Sequence, residues 1–346
     1  MLRMIIALVI SAAVVLVSGP RFIPFLKKLK FGQTIYDLGP ESHKQKQGTP
    51  TMGGVMIALG LLLAALIAHP WRGEGWQDFI WPLLFVAFGS MAVGFADDYI
   101  KVVKKRSLGL TPWQKIFGQV FVAVAFAVYC YLHPQVGSSV WIPFFNVEWD
   151  LGLFYIPLVA LGVIFIVNST NLQDGLDGLL SSVTAVGCVA FGGIALMMSM
   201  AVAQADAPLG QNLLALATFA MAMAGGCIGF LRFNHHPATV FMGDTGSMLI
   251  GGAFVGVAVL MRQPFLLFLI TLCPVLSSLS VIIQRYYFKA TRKIYGEPRR
   301  LFKMTPIHHH FELSGMTENQ IVIMYAVVTA VASLIAVLAV SGLKLV

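Results

Sequence analysis

Charged side chains are scarce in this chain of 346 residues: Asp, Glu, Lys and Arg make up only 11% of it, against roughly 25% in an ordinary soluble domain. Acidic side chains are the scarcest, with 15 Asp and Glu against 23 Lys and Arg and a formal net charge of +8. Hydrophobic residues account for 58%, and the mean hydropathy is +0.82. The shortage of charge excludes a soluble globular protein, and the apolar content excludes a disordered chain. A polytopic membrane protein remains.

Cysteine is also rare, and its placement excludes two kinds of site. The four cysteines lie far apart in apolar runs, without C-x-x-C spacing: Cys130, Cys188, Cys227 and Cys273. We therefore expect small buried side chains, and neither a zinc site nor a disulfide framework. The H-E-x-x-H sequence of zinc metalloproteases is absent as well, which excludes an intramembrane protease of that type.

The apolar residues form ten continuous runs, which predict an all-α membrane protein with about ten transmembrane helices. The strands of a membrane β-barrel would instead alternate apolar and polar residues over ~10-residue segments. The first run is followed by Gly-Pro and a basic loop, so we expect a retained span and not a cleaved signal peptide. No linker is long enough to separate domains, and a single membrane-embedded domain over residues 1–346 is expected. The runs lie near 2–19, 53–69, 79–96, 114–132, 153–168, 179–200, 212–231, 247–261, 265–287 and 321–343.

The basic residues between these runs predict the orientation of the chain. Of the 23 Lys and Arg, 19 fall in or beside the odd-numbered loops, counted from the N-terminus. Because cytoplasmic loops carry the excess of Lys and Arg, these loops should face the cytoplasm and both termini the extracytoplasmic side. The positive charge then meets anionic lipid headgroups and phosphorylated cytosolic compounds, and no nucleic acid is needed to explain it.

Five acidic residues cluster in three of the predicted cytoplasmic loops, at the ends of apolar runs. Asp97 and Asp98 stand in G-F-A-D-D-Y-I-K, Asp174 and Asp177 in N-L-Q-D-G-L-D-G, and Asp244 in V-F-M-G-D-T-G-S. Helix capping is the simpler interpretation of any one of them. Three such loops on one membrane face favour a shared site, because adjacent carboxylates repel each other unless a cation neutralises them. Oxygen ligands of this kind suit Mg²⁺ or Mn²⁺, particularly beside substrate phosphates.

Three further segments carry groups suited to phosphate. Loop one ends in H-K-Q-K-Q-G-T-P-T-M-G-G, where Lys46 and backbone N–H groups could contact phosphate, and a flexible loop is the alternative. Loop nine contains P-I-H-H-H-F-E, in which His308 to His310 favour hydrogen bonds to phosphate oxygens over a compact zinc site, with a solvated loop end as the alternative. The basic run from Arg285 to Lys303 could hold anionic lipid or substrate, or serve topology alone. Together, these features indicate phosphoryl transfer at a membrane interface, with a lipid as one reactant.

Five motifs in this order resemble those of a known family of membrane transferases. They are G-T-P-T-M-G-G at 48–54, D-D-Y-I-K at 97–101, N-L-Q-D-G-L-D-G at 171–178, F-M-G-D-T-G-S at 241–247 and P-I-H-H-H-F-E at 306–312. Over about residues 37–312 the chain is similar to the polyprenyl-phosphate N-acetylhexosamine-1-phosphate transferases. The triple His followed by Phe-Glu favours the phospho-N-acetylmuramoyl-pentapeptide branch of that superfamily over the N-acetylglucosamine-1-phosphate branch.

The resemblance implies a reaction, a cofactor and a location. UDP-N-acetylmuramoyl-pentapeptide and undecaprenyl phosphate would give lipid I and UMP in peptidoglycan synthesis. The resemblance also implies Mg²⁺, a homodimer, and a multi-pass position in the bacterial plasma membrane with the active site facing the cytoplasm. The alternatives are an N-acetylglucosamine-1-phosphate transferase and, from another class, a secondary transporter. Transporter sites lie near the bilayer midplane, where these apolar runs have no charged residues.

The same motifs imply roles for individual residues. The implied catalytic residues are Asp97, Asp98, Asp244 and His308, and the implied metal ligands are Asp177 and Asp244. The substrates would be bound by Lys46, Thr51, Lys101, Lys105, Asn171, Asp174, Asn234, Phe241, His309 and His310, with Phe241 stacking on uracil.

The charge of the acceptor favours a direct reaction. A phosphate monoester has a second pKa of about 6, so the acceptor is mostly dianionic at neutral pH and needs relief from repulsion more than loss of a proton. We therefore expect in-line attack on the phosphorus that bears the sugar, with Asp98 orienting the acceptor or the metal, or removing a residual proton. The rival mechanism is a covalent intermediate on Asp97 or Asp98.

Overall fold

The computed structural model describes residues 1–29, 46, 48–69, 78–104, 108–145 and 147–341, and these form a mostly helical protein. Apolar chains favour helices in a membrane because a helix satisfies its own backbone hydrogen bonds. The described residues form twelve α-helices. In chain order these are α1 (Leu2–Lys28), α2 (Gly54–Ala68), α3 (Ile80–Val103), α4 (Pro112–Leu132), α5 (Tyr155–Gln173), α6 (Leu179–Val202), α7 (Ala207–Asn234), α8 (Gly243–Leu260), α9 (Pro264–Ile270), α10 (Leu272–Tyr295), α11 (Ile307–Glu312) and α12 (Glu318–Ser341).

The lengths of the helices confirm a multi-pass membrane protein. Among the described residues, eight helices are long and apolar enough to cross a membrane. The pair α9 and α10, bent by 81° relative to each other, makes a ninth crossing if it counts as one. These elements coincide with nine of the ten predicted runs. The run near 53–69 forms the 15-residue helix α2, whose rise of ~22 Å is less than the ~30 Å hydrocarbon core. The structure thus supports eight or nine crossings, and the predicted ten is not confirmed.

A β-hairpin interrupts the helical pattern between α4 and α5. Its strands, β1 (Ser139–Ile142) and β2 (Val147–Asp150), pair antiparallel. The all-α prediction is wrong for this segment, since Val, Ile and Trp recur here in short runs that favour strands. Arg262, between α8 and α9, donates from Nε to the Ser139 carbonyl at 3.1 Å and pairs with Glu148. These contacts tie the hairpin to the link between α8 and α9.

Helix α8 lies inside the protein and positions the polar residues described below. Every residue from Thr245 to Leu260 is buried, and α8 packs against α2, α3 and α5. Near its N-terminus, Gly54 of α2 meets Gly246, and Gly94 of α3 meets the carbonyl group of Asp244. A Cβ atom at Gly54 or Gly94 would collide with backbone, so glycine at these positions allows close helix approach. The end of α3 is thereby brought beside the start of α8.

Candidate active site

Three carboxylates meet where the end of α3 approaches the start of α8. Asp97 and Asp98 lie on the last turns of α3, and Asp244 lies in the first turn of α8. One oxygen of each carboxylate lies within 4.8 Å of the others. The Asp97 and Asp98 side chains are almost fully buried, and that of Asp244 is 16% exposed. We call these three residues the triacidic cluster. Buried negative charges this close together require counter-charge.

Two lysines and one asparagine contact the triacidic cluster. Lys101, one turn after Asp97 on α3, places Nζ 2.5 Å from Asp97 Oδ2 and 3.3 Å from Asp244 Oδ2. Lys115, on the first turn of α4, donates to the same Asp244 oxygen at 2.8 Å. Asn171, near the end of α5, donates to Asp244 Oδ1 at 2.9 Å. Three carboxylates against two ammonium groups leave a net negative charge, which favours a further cation.

Hydrogen bonds to the backbone fix the two carboxylates of α3. Asp98 Oδ2 accepts from the backbone N–H of Thr245 at 2.9 Å and from its hydroxyl at 2.7 Å. Asp97 Oδ1 accepts from the backbone N–H of Leu110 at 2.9 Å. The N-terminus of α8 carries a partial positive charge, which favours carboxylates at this point. One oxygen of each carboxylate is therefore held by the fold, and the other lies within 4 Å of Lys101.

A second polar group, here called the Lys46 cluster, consists of Lys46, Asp177, His236 and Glu318. Lys46 Nζ donates to Asp177 Oδ1 and to Glu318 Oε2, each at 2.8 Å. His236 Nδ1 lies 3.1 Å from Asp177 Oδ2 and 3.4 Å from Glu318 Oε1. The backbone N–H of Asp177 donates to Glu318 Oε2 at 3.1 Å. One ammonium group thus joins a carboxylate from the segment between α5 and α6 to another from the start of α12.

Asp174 is influenced by both clusters. It follows the last residue of α5 and is partly buried. Burial, and after it the negative charges of Asp244, Asp98 and Asp177, raise the pKa of Asp174 to about 8. The carboxyl group therefore keeps its proton to a higher pH than an ordinary aspartate does, and in the protonated form it can donate a hydrogen bond.

The histidine tract meets the segment between α5 and α6. His308 is fully buried, and its Nε2 lies so close to Gly175 that a Cβ atom there would collide with it. His309 Nδ1 lies 3.1 Å from Glu312 Oε2. His310 Nδ1 accepts from a backbone N–H of the loop before α11 at 3.1 Å. The three imidazoles have different surroundings, as expected for consecutive residues of a helix, and His308 packs closest to the N-L-Q-D-G-L-D-G segment.

The other residues implied by the motifs join the loops around the clusters. Asn234, at the end of α7, bonds to the start of α6 and to the loop before α8, at 3.2 and 3.0 Å. Phe241 is partly buried, and its backbone bonds to that of residues 50–53. Thr51 is buried, and its hydroxyl lies near the first residue of α8. Lys105 lies outside the residues that the structure describes.

Three residues that complete the clusters were missed in the sequence. In the sequence, Lys115 counts only as one of the 19 basic residues that predict the orientation, although a lysine on the first turn of an apolar helix is a signal for an acidic partner. His236 follows Asn234 in an H-H-P stretch that carries no recognisable motif. Glu318 begins a helix, where acids are common for electrostatic reasons alone. Its hydrogen-bond partners Asp177 and Lys46 lie 141 and 272 positions away, so nothing local indicates them.

Two groups of side chains in the described part of the chain could hold a metal ion. They are the triacidic cluster and the set Asp177, His236 and Glu318. The two residues predicted as ligands, Asp177 and Asp244, are divided between these groups. The triacidic cluster offers carboxylate oxygens only, the ligands that hard divalent cations prefer. In the second group the ammonium group of Lys46 already pairs with both carboxylates, at 2.8 Å each.

Comparison with known proteins confirms the resemblance seen in the motifs. Residues 80–262 match the model described as glycosyl transferase family 4, and residues 46–57 match phospho-N-acetylmuramoyl-pentapeptide-transferase signature 1. A phospho-N-acetylmuramoyl-pentapeptide-transferase of Listeria welshimeri is 43% identical over 338 residues, covering 97% of this chain and 98% of the relative. The transferase of Oceanobacillus iheyensis is 42% identical, and the alignment covers 92% of each chain. That of Caldanaerobacter subterraneus is 41% identical, and the alignment covers 95% of this chain and 96% of the relative. By these matches the chain belongs to the phospho-N-acetylmuramoyl-pentapeptide-transferase family.

Proposed function

We propose that this chain transfers phospho-N-acetylmuramoyl-pentapeptide from its UDP conjugate to undecaprenyl phosphate, which gives lipid I and UMP in peptidoglycan synthesis. The observation that carries the proposal is the triacidic cluster, set with Lys101 and Lys115 at the ends of membrane-crossing helices. A pyrophosphate donor and a phosphate acceptor repel each other, so positive charge must bring them together. The names of the relatives specify the same transferred group.

The triacidic cluster fits Mg²⁺, which prefers carboxylate oxygens shared with substrate phosphates. Asp97, Asp98 and Asp244 would hold the ion, since their oxygens converge within 4.8 Å. When bound, Mg²⁺ would neutralise charge on the donor phosphates. Asp177, the other ligand that the resemblance implies, lies in the second group, where Lys46 donates to its Oδ1 at 2.8 Å. We therefore assign to Asp177 the anchoring of Lys46.

The Lys46 side of the site suits the nucleotide sugar. Lys46 precedes, and Thr51 lies within, the segment 50–53 that bonds through its backbone to Phe241, so a phosphate near Lys46 and a base on the Phe241 ring can belong to one molecule. A protonated Asp174 can donate to a substrate oxygen. The proposed substrate-binding residues are Lys46, Thr51, Lys101, Lys105, Asn171, Asp174, Asn234, Phe241, His309 and His310, with His308 beside the reacting phosphates.

The acceptor would attack directly. Lys101 and Lys115 place positive charge where the two reactants meet, which lowers their repulsion in the transition state. Asp97 and Asp98 are held by backbone hydrogen bonds, an arrangement suited to orienting a ligand. The new bond joins an acceptor oxygen to the phosphorus that bears the sugar, and the bond from that phosphorus to the oxygen of UMP breaks. Inversion at phosphorus is expected; retention would require a covalent intermediate on Asp97 or Asp98.

The membrane arrangement is also a proposal. We place the site at the cytoplasmic face because the segments that form it belong to the Lys- and Arg-rich loops. With α2 as a tenth crossing, both termini lie on the extracytoplasmic side, and a bilayer thinned around α2 would match its length. The whole chain then acts as one catalytic domain, and the resemblance adds a homodimer.

Turnover of the purified protein tests the reaction. Protein is incubated with undecaprenyl phosphate and radiolabelled UDP-N-acetylmuramoyl-pentapeptide, with and without Mg²⁺. UMP release should require both the lipid and Mg²⁺. The variant Asp244→Asn should lose this activity, and the control Asp150→Asn, in the exposed hairpin, should keep it. An equal rate with UDP-N-acetylglucosamine would move the chain to the sister branch, and solute uptake without UMP release would indicate a transporter.

A further inference from the structure

A pair of amide side chains joins α4 to α5 near the triacidic cluster. Asn168 Nδ2 donates to Gln119 Oε1 at 2.8 Å, and Gln119 Nε2 donates to Asn168 Oδ1 at 3.4 Å. Asn168 Nδ2 also donates to the Ile164 carbonyl at 2.7 Å, which fixes the direction of this amide. Gln119 is only 3% exposed. The reaction proposed above uses neither side chain, so it does not explain the pair.

The amide pair lies one helical turn from a second polar contact between the same two helices. Gln119 follows Lys115 by four positions on α4. Asn168 precedes Asn171 by three positions on α5. Side chains at these spacings share one face of a helix. Lys115 Nζ lies 3.4 Å from Asn171 Oδ1 and 2.8 Å from Asp244 Oδ2. The two helices therefore meet at two successive polar contacts, one of which leads to the triacidic cluster.

The first two turns of α4 have little other protein around them. Trp113 and Phe117 are 84% and 77% exposed, and Gln119 is the first buried residue of the helix. The buried residues that follow it are apolar, beginning with Val122 and Ala123. Because lipid tails are as apolar as these side chains, such contacts specify the register of α4 only weakly. A buried amide pair does specify a register.

Helix α5, in contrast, is tied to the rest of the bundle by the residues that follow Asn168. Ser169 Oγ accepts from Ser278 Oγ of α10 at 2.8 Å. The Thr170 hydroxyl donates to the Ser247 carbonyl of α8 at 2.9 Å. Both bonds are buried, and they fix α5 relative to α8 and α10. Helix α5 is thus a fixed support on which the amide pair can set α4.

Lys115 needs such a setting because its side chain is long and flexible. Its side chain is 19% exposed, so the surrounding protein alone does not confine it. If α4 slid along α5 by one residue, the backbone of Lys115 would move by about 1.5 Å. A misplacement of about 1 Å in an active site can cost about 100-fold in rate. The register of α4 therefore matters for the position of the ammonium group.

We propose that Gln119 and Asn168 are positioning residues for the transferase reaction proposed above, on which this inference rests. They set the register of α4 on α5 and so hold the ammonium group of Lys115 at Asp244, where it screens the charge of the two reacting phosphates. Neither amide touches a substrate. Loss of the pair should therefore resemble a partial loss of Lys115.

Steady-state UMP release gives the first test. Gln119→Met keeps the length of the side chain and removes its hydrogen bonds. Its kcat should fall about 3- to 20-fold, the range expected for one hydrogen bond between membrane helices, and the KM for the nucleotide sugar should change less than about twofold. The swapped pair Gln119→Asn/Asn168→Gln keeps the combined length of the two side chains and should restore most of the kcat.

Two comparisons separate positioning from a loss of stability. Gln135→Met removes a similar amide contact beyond the far end of α4, where Gln135 Oε1 accepts from Asn212 at 2.7 Å. Its kcat should equal that of the wild type, even if its Tm falls as far as that of Gln119→Met. In a Lys115→Gln background, Gln119→Met should lower kcat no further. A full additional loss in that background, or an equal fall in kcat for Gln135→Met, would overturn the proposal.

Binding of Mn²⁺ to the purified protein without substrates, measured by electron paramagnetic resonance, needs no turnover. Lys115→Gln should bind Mn²⁺ more tightly than the wild type, because a positive charge leaves Asp244. Gln119→Met should shift the affinity in the same direction by a smaller amount, and an affinity unchanged from the wild type would contradict the link to Lys115. Absence of turnover in every protein would count against the proposed reaction, whereas Mn²⁺ binding would still show whether Gln119 positions Lys115.

Discussion

Replacing Glu318 by Gln tests whether the Lys46 cluster exists to present Lys46 to the nucleotide sugar. Glu318→Gln keeps the shape of the side chain and removes its charge. Glu318 Oε2 accepts from Lys46 at 2.8 Å and from the backbone N–H of Asp177 at 3.1 Å, and the side chain is only 8% exposed. The variant therefore weakens the grip on Lys46 without opening a cavity, and Asp177 still holds the ammonium group.

The size of the effect follows from these contacts. A hydrogen bond to a charged group contributes about 1.5–3 kcal/mol when one partner is lost, and 1.4 kcal/mol is a factor of ten. We expect the KM for UDP-N-acetylmuramoyl-pentapeptide to rise about 10- to 100-fold, because only one of the two carboxylates that orient Lys46 remains. The kcat should fall less than about threefold, since the triacidic cluster is untouched.

The assay is UMP release at saturating undecaprenyl phosphate, with the nucleotide sugar varied. Glu297→Gln is the matched control, because Glu297 is exposed and outside both clusters. Lys46→Gln should raise the KM more than Glu318→Gln, and the double variant should show less than the sum of the two effects. A normal KM for Glu318→Gln, or a lower kcat with an unchanged KM, would refute the reasoning. Thermal unfolding of each variant checks that the fold is retained.

Three other predictions concern Asp174, Gly175 and Lys115. The pKa of Asp174 is raised to about 8 in the folded protein, whereas the unfolded chain releases this proton above about pH 4. This group therefore makes the free energy of unfolding fall as pH rises from about 4 to 8. Asp174→Asn should flatten that dependence in thermal unfolding from pH 5 to 9, and an unchanged slope would contradict the assignment. Gly175→Ala should displace His308 and lower kcat about 10- to 100-fold, whereas Gly162→Ala, with open space around it, should not. Lys115→Gln should lower kcat about 100-fold. It should also reduce the Mg²⁺ concentration for half-maximal activity, since Asp244 loses a competing cation. A higher Mg²⁺ requirement would argue against the metal at the triacidic cluster.

The sequence predicts the membrane helices well because the bilayer imposes them locally. Nine of the ten apolar runs appear as crossings or as the bent pair, since every such run must satisfy its backbone within itself. The β-hairpin was missed because short Val- and Trp-containing stretches in a loop give too weak a signal.

The site is predictable only in part. Asp97, Asp98 and Asp244 could be associated from the sequence because all three lie at the ends of apolar runs on one predicted membrane face. That Asp177 separates from them and joins Glu318 depends on how the start of α12 packs, 141 positions further along the chain. The contact between Lys115 and Asp244 also depends on helix packing, since α4 must lie beside α3 and α5 before its lysine can reach Asp244.

The burial of α8 has a consequence for how the protein is made. It is the least apolar of the eight long helices, and its sixteen residues from Thr245 onward touch protein on all sides. Transfer of this segment alone from the translocation machinery into lipid is accordingly the least favourable such step among these eight helices. Its insertion during synthesis therefore depends on segments that have already left the ribosome, α3 and α5 among them, and the carboxylate of Asp244 reaches its working depth only as the bundle closes around it.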